Sequence, residues 1–241
     1  MKFIISFLTI IIFSIPLAPD AADIPSSAHS SKAISRVEPS LKTELSRSGL
    51  KYGAPVFIRI FKDSNELELW VKDNNQFKLF KTYNICTYGW GGLGPKIRQG
   101  DGKAPEGFYF VTPKQVNPLS TFHLSFNLGY PNTYDRAHGR TGSALMVHGN
   151  CVSIGCYAMT DRNIEKIFAL IVAALKNGQK YFRVHIFPFQ MTTKNLNRYQ
   201  RSKWYGFWQN LKQGYDLFEN NGYIPPNVTV KNKQYVFDSS K

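Results

Sequence analysis

Residues 54–85 read APVFIRIFKDSNELELWVKDNNQFKLFKTYNI. β-Branched and aromatic residues crowd this stretch. Apolar side chains alternate with period two on both sides of Asp73, Asn74 and Asn75. A helix needs a period near 3.6, so the segment is committed to strands. Leu67, Leu69 and Val71 share one face, and Phe77 and Leu79 share a face of the returning arm. The expectation is a β-hairpin preceded by a strand. Further short strands are expected at 107–111, 122–128, 144–148 and 182–187, with glycine-rich loops at TYGWGGLGPK and RQGDGKAPEG.

Two helices complete the pattern. Ile164, Ile167, Phe168, Ile171, Val172 and Leu175 form one apolar stripe, with Thr160 or Asp161 as its cap and Gly178 at its end. Trp204, Trp208, Leu211, Tyr215 and Phe218 recur at three- and four-residue steps across about 197–220. This second stripe is expected to dock on the strands; the competing reading is a membrane-surface face. The chain is therefore expected to be a mixed, β-rich α+β protein.

Residues 2–18 place Lys2 before an apolar run that Pro16 breaks, with Ala18, Ala21 and Ala22 following. That is the layout of a signal peptide, and the run falls short of the roughly 20 residues a spanning helix needs. Residues 1–22 are assigned to the signal. Residues 23–50 read as a Ser-, Ala- and Pro-rich tether with a short helix across 39–48. Residues 51–225 form the folded domain, and 226–241 a tail. No integral membrane span is expected after signal removal, and the protein is placed in the periplasm.

Export alters the meaning of the cysteines, because an oxidising compartment permits disulfides. Cys86, Cys151 and Cys156 are an odd set, so at least one thiol is unpaired within the monomer. Cys151 has three readings: a bond to Cys86, a reduced core residue, or a second thiol that bonds to Cys156 and silences it. Too few cysteines are present for a four-thiolate zinc site, and no metal or organic cofactor is expected.

The chemistry concentrates in ALMVHGNCVSIGCYAMTD, residues 144–161. An apolar strand ends at His148, Gly149 follows, and a tight turn leads to Ser153-Ile154-Gly155-Cys156. A cysteine attacks as thiolate, and a histidine within reach can take its proton. Gly155 leaves room for a substrate beside the backbone. N–H groups near Cys156 can stabilise an oxyanion.

The His-Gly pair followed by Ser-x-Gly-Cys resembles the signature of the L,D-transpeptidase (YkuD-type) catalytic domain. The short run HGNCVSIGCYAMTD is similar to that of the YafK-like subgroup. The segment GDGKAPEGFY (100–109) is similar to an upstream stretch of the same family. The resemblance covers about residues 52–225 and implies a β-sandwich core with one helix after the cysteine. It further implies Cys156 as nucleophile, His148 as general base, and Ser153, Gly155 and Gly149 as motif support. Ile154 stands where typical members carry histidine, and Ala158 where many carry arginine. The implied partners are peptidoglycan stem peptides, or a lipoprotein attached to the wall.

His138-Gly139 is a second His-Gly pair, but it lies in a polar loop, so His148 is preferred as base. Tyr130, His138 and Arg140 are expected to line the substrate groove. His123 and His185 fall within expected strands and are read as packed or surface residues. The net charge of +14 leaves another class open: a non-catalytic, basic wall-binding module. A nucleic-acid binder is set aside, because export and the absence of a recognised motif oppose it.

Overall fold

The computed structural model describes residues 23–238. The signal-peptide assignment of residues 1–22 lies outside the described residues, as do the last three residues of the tail. In chain order the elements are α1 (Ala28–Arg47), β1 (Val56–Phe61), β2 (Glu66–Asp73), β3 (Gln76–Asn84), β4 (Gly107–Val111), β5 (Val116–Asn117), β6 (Ser125–Asn127), α2 (Thr133–Ala137), β7 (Met146–His148), β8 (Tyr157–Ala158), α3 (Asp161–Lys176), β9 (Phe182–Phe187), α4 (Thr193–Asn197), α5 (Tyr205–Asn220), β10 (Asn227–Lys231) and β11 (Gln234–Asp238).

The hairpin expected from residues 66–85 is β2–β3, with Asn74 in the left-handed region at φ 53°. It belongs to a five-stranded sheet of order β3-β2-β1-β9-β4, in which β1 and β9 run parallel and the other neighbours antiparallel. A four-stranded sheet has the order β5-β6-β7-β8. Ile58, Ile60, Val184 and Ile186 of the first sheet share one apolar core with Phe126, Val147 and Tyr157 of the second. The rings of Phe126 and Phe182 meet across it at 5.3 Å.

β1 is buried along its whole length because both its faces are covered. Phe57 and Phe61 point away from that shared core and pack under the C-terminal elements. Trp208, Leu211 and Phe218 of α5 are buried there, so the aromatic stripe docks on the sheet. This helix begins at Tyr205, later than expected, because turns separate it from the short α4.

Two segments differ from the sequence reading. Residues 23–50, expected to be a tether, hold the twenty-residue α1. Its buried face is Ala33, Val37, Leu41 and Leu45, a strict four-residue repeat. Full burial of a leucine is worth about 2 kcal/mol, enough to hold a helix whose other faces are polar. Pro39 sits within it without ending it. Glu165 of α3 accepts from Arg36 and lies 2.8 Å from His123, while Lys81 of β3 donates to Glu44 at 2.8 Å. The tail 226–241 is also structured, as the hairpin β10–β11. Tyr235 is buried there, and Asn210 of α5 bonds both its N–H and its carbonyl. Among the described residues no helix is long and apolar enough to cross a membrane.

Candidate active site

β7 and β8 pair in parallel, with Val147 opposite Tyr157 and His148 opposite Ala158. The register carries Met146 to Cys156, and the Met146 N–H points at Cys156 Sγ at 3.4 Å. Side chains two apart along a strand share a face. His148 and Cys156 therefore project to the same side from adjacent strands, one diagonal step apart. Both line a cavity of about 290 Å³, together with Trp90, Lys96, Phe122 and Leu145. A larger surface cleft of about 390 Å³ lies against α1 and α3, among Ile34, Glu38, Tyr52 and Lys176. No cysteine, serine or histidine lines it.

The turn between the two strands is tightly specified. Asn150 and Cys151 are consecutive left-handed residues, with φ 65° and 49°. The Asn150 N–H donates to Asp161 Oδ1 at 2.7 Å, and the Cys151 N–H to the Met159 carbonyl at 3.1 Å. Gly149 is needed by close approach: a Cβ there would stand 2.6 Å from Asp161 Oδ1. Gly155 has φ +153°, a conformation side chains disfavour. Its N–H donates to Ser153 Oγ at 3.0 Å, and the Ser153 hydroxyl donates to the Cys156 carbonyl at 2.7 Å. The motif serine and glycine thus close the loop on itself. The Gly155 N–H is occupied by that bond, so these residues support the site through loop shape.

Cys86 and Cys151 form a disulfide with Cα atoms 5.3 Å apart, and Cys156 is free. Of the three readings of Cys151, the bond to Cys86 is the one found. Cys86 also runs beside the β7–β8 pair, its N–H donating to the Ala158 carbonyl at 2.8 Å.

His148 is buried, and its Nδ1 lies 2.6 Å from the Gly149 carbonyl. A carbonyl only accepts, so Nδ1 carries the hydrogen and the neutral ring keeps its lone pair on Nε2. Phe122 packs on the imidazole at 4.6 Å between centroids. Burial holds the His148 pKa below its ordinary value, with the Gly149 carbonyl pulling the other way. Burial pushes the Cys156 thiol up, opposed by the Met146 N–H and the charge of Lys96. At rest the pair is thus a neutral thiol and a neutral imidazole lining one cavity, with the thiol donating to the Ala144 carbonyl at 3.5 Å.

The groove residues expected from sequence lie elsewhere. Tyr130, His138 and Arg140 do not line the cavity. Arg140 is buried on Asp135 at 2.7 Å and stacks against Tyr134 and Phe207. His138 caps α2, stacks on Tyr134 and reaches its carbonyl with Nδ1 at 3.0 Å. The Tyr130 hydroxyl donates to the carbonyls of Lys96 and Thr141. The buried Asp135 carboxylate organises this region, which is why neighbours of the strand in sequence turn away from the cavity in space. His185 is a packed residue, enclosed by Phe57 and Phe108. His123 leaves the strand conformation, with φ 69°.

Another wall is the loop 86–106, which holds the two glycine-rich stretches expected from sequence and contributes Trp90, Lys96, Gln99 and Gly100. Its anchor is a wholly buried pair: Lys62 Nζ donates to Glu106 at 2.9 Å and to the carbonyls of Gly94 and Ala104. Glu106 also accepts from the Gly94 N–H at 2.7 Å and from the Trp208 indole at 2.8 Å. A second carboxylate, Asp101, gathers the tip. It accepts from Lys96 Nζ at 2.8 Å and from the N–H groups of Ile97, Arg98 and Lys103. Burial opposes its ionisation, but these donors outweigh burial and hold its pKa low. Among the described residues no group of three or more His, Cys, Asp or Glu is placed to hold a metal ion.

A strand-borne histidine and a free thiol, facing one cavity beneath a glycine-rich wall, make this a candidate site for cysteine-dependent chemistry. Residues 55–186 match the YkuD family, the L,D-transpeptidase catalytic domain. The chain is 51% identical over 184 residues to "Putative L,D-transpeptidase YafK" of Escherichia coli K12, covering 76% of this chain and 74% of that protein. The O157:H7 counterpart matches equally. The protein belongs to the YkuD L,D-transpeptidase family and is an enzyme of that family. A solved variant of the helical cell shape determining protein Pgp2 from Campylobacter jejuni is 21% identical, with 82% of this chain and 68% of that chain covered at a TM-score of 0.46. That overlap is too loose to carry detail across.

Proposed function

We propose that the protein is an exported, periplasmic enzyme that acts on peptidoglycan stem peptides through a thioester on Cys156. One observation carries the reading. The free thiol and the lone-pair-bearing ring of His148 stand on one face of paired strands and open into one cavity. The family membership supplies the substrate class, and the Cys86–Cys151 bond agrees with an oxidising compartment.

In the first half-reaction His148 Nε2 takes the Cys156 proton as sulfur attacks the carbonyl of a diaminopimelate-type residue. The tetrahedral oxyanion meets backbone N–H groups of the Cys156 turn. The C–N bond then breaks, the imidazolium returns its proton to the departing amine, and a thioester remains. In the second half an amine or a water attacks the thioester, losing its proton to His148. The C–S bond breaks and the thiol is restored. An amine acceptor gives transfer; water gives hydrolytic release of a peptide or an attached lipoprotein.

Mass spectrometry of purified muropeptides and of lipoprotein-bearing wall, incubated with the protein, tests this. New cross-links mean transfer and loss of attached peptide means hydrolysis. Either product must vanish in Cys156→Ala. Product formation unaffected by that change refutes the proposal. The +14 charge favours a second reading, a basic wall-binding module. It requires wall binding that falls steeply with salt, survives alkylation of Cys156 and leaves the muropeptides unaltered.

A further inference from the structure

We infer that Lys96 is the substrate-binding cation of this cavity, its ammonium receiving a free carboxylate of the peptide bound at Cys156. The inference rests on the peptidoglycan reading above and adds to it the chemical group that is recognised.

Lys96 is the one lysine or arginine lining the cavity, and no carboxylate lines it. Its side chain is only 5% exposed. The other wall residues are largely apolar or neutral, including Trp90, Phe122, Leu145 and Met146. An ammonium has three donors, and one is used on Asp101 at 2.8 Å. Asp101 is satisfied three times over by backbone N–H groups and does not line the cavity. The lysine is held in place along its length. The Tyr130 hydroxyl donates to its carbonyl, and the Gly142 backbone passes so close that a Cβ there would stand 3.0 Å from Lys96 Cε.

Asp101 compensates the buried charge at rest, and the two remaining ammonium donors are available to a ligand anion. Lys96 and Cys156 line the same cavity, and the ammonium pulls the Cys156 pKa down against burial. A stem peptide offers two carboxylates near a scissile bond of the kind proposed. One is the far carboxylate of a diaminopimelate residue; the other is the terminal carboxylate of the leaving amino acid. Both supply the same chemistry to Lys96.

Charge-matched alkylation tests the site without any wall substrate. Iodoacetate and iodoacetamide both alkylate Cys156 and differ in one negative charge. In Lys96→Met the iodoacetate-to-iodoacetamide rate ratio is expected to fall on the order of tenfold, as for loss of one charged hydrogen bond. In Lys96→Arg it should stay within about twofold of the starting value. Asp101 keeps three of its four donors in Lys96→Met, so the loop should hold. In the unaltered protein N-acetyl-D-alanine should slow iodoacetamide, while its amide should not. A ratio unmoved in a folded Lys96→Met, or equal protection by acid and amide, overturns the inference.

Stem peptides amidated at one carboxylate or the other then identify the source, since the correct amide removes the difference between Lys96→Met and the unaltered protein. An anion preference with no turnover of any stem peptide keeps the Lys96 site and refutes the peptidoglycan reading. Stem-peptide turnover with kcat/KM unchanged in Lys96→Met does the reverse.

Discussion

The disulfide closes a loop spanning 65 positions and ends inside the turn that precedes Cys156. Replacing Cys86 and Cys151 together by alanine should therefore act on stability and on the site at once. The chain-entropy relation for a loop of that length gives about 4 kcal/mol at room temperature. For a domain of this size the melting temperature should fall on the order of 10 °C. A local cost adds to this. Asn150 and Cys151 occupy the left-handed region, which costs L-residues roughly 1–2 kcal/mol each. Without the cross-link only two backbone hydrogen bonds, to Asp161 and Met159, hold that geometry. Urea unfolding followed by tryptophan fluorescence measures the first effect, and the iodoacetamide rate of Cys156 in the folded double variant measures the second. A loss under about 1 kcal/mol with an unchanged alkylation rate would refute the reasoning, because neither the loop nor the turn would then depend on the bond.

Cys86→Ala alone frees Cys151 five positions before Cys156, so the variant should lose titratable thiol and activity under oxidant and regain both with reductant. The double variant should not behave this way, and thiol titration separates them. His185 is buried with neither ring nitrogen hydrogen-bonded, and burial, then Arg183 and Arg59, holds its pKa well down. His185→Leu should stabilise by about 1–2 kcal/mol at neutral pH. The unfolded chain takes up a proton there that the folded chain refuses, so stability conferred above about pH 6.5 is lost as pH falls. The gap between variant and unaltered protein should widen by about 1.4 kcal/mol per pH unit below that point in urea titrations. Lys62→Met strands the buried Glu106 and should cost about 3–5 kcal/mol, most of it recovered by adding Glu106→Gln. For Cys156 alkylation the acid limb should lie below the ordinary imidazole value of about 6.5, because burial keeps His148 neutral to lower pH. In His148→Gln that limb should vanish, leaving the raised thiol alone.

Periodicity read the hairpin, β1, β9 and α3 well, because each buries a regular face and carries its own turn or cap signals. It caught only the C-terminal half of α1, as the short helix across 39–48, because the stripe is thin and begins with Ala33, amid serines and a proline. It missed β10–β11, although VTVKNKQYVF alternates about Asn232 and Lys233, both left-handed. The shared placement of His148 and Cys156 was legible because a strand end and a short turn keep them local in sequence. Lys96 was not. Its place depends on Asp101 collecting a loop and on Gly142 arriving from a distant segment, and neither shows in spacing. Tyr130, His138 and Arg140 were misplaced for the converse reason: adjacency to β7 along the chain says nothing about which way a buried aspartate turns its partners.

The Trp208–Glu106 bond has a consequence for how such a domain can be divided. The family match stops at residue 186, yet Glu106, whose carboxylate fixes Gly94 and with it the wall facing Cys156, is completed by an indole 22 positions further on. Phe61 and Phe108 lie inside the matched span and owe their cover to residues after it. A fragment trimmed to the recognised boundary would keep the thiol and the imidazole while opening an aromatic face and loosening the cavity they share. Grafting this active site onto another scaffold, or exchanging it between relatives, therefore requires the C-terminal helix and hairpin to travel with it.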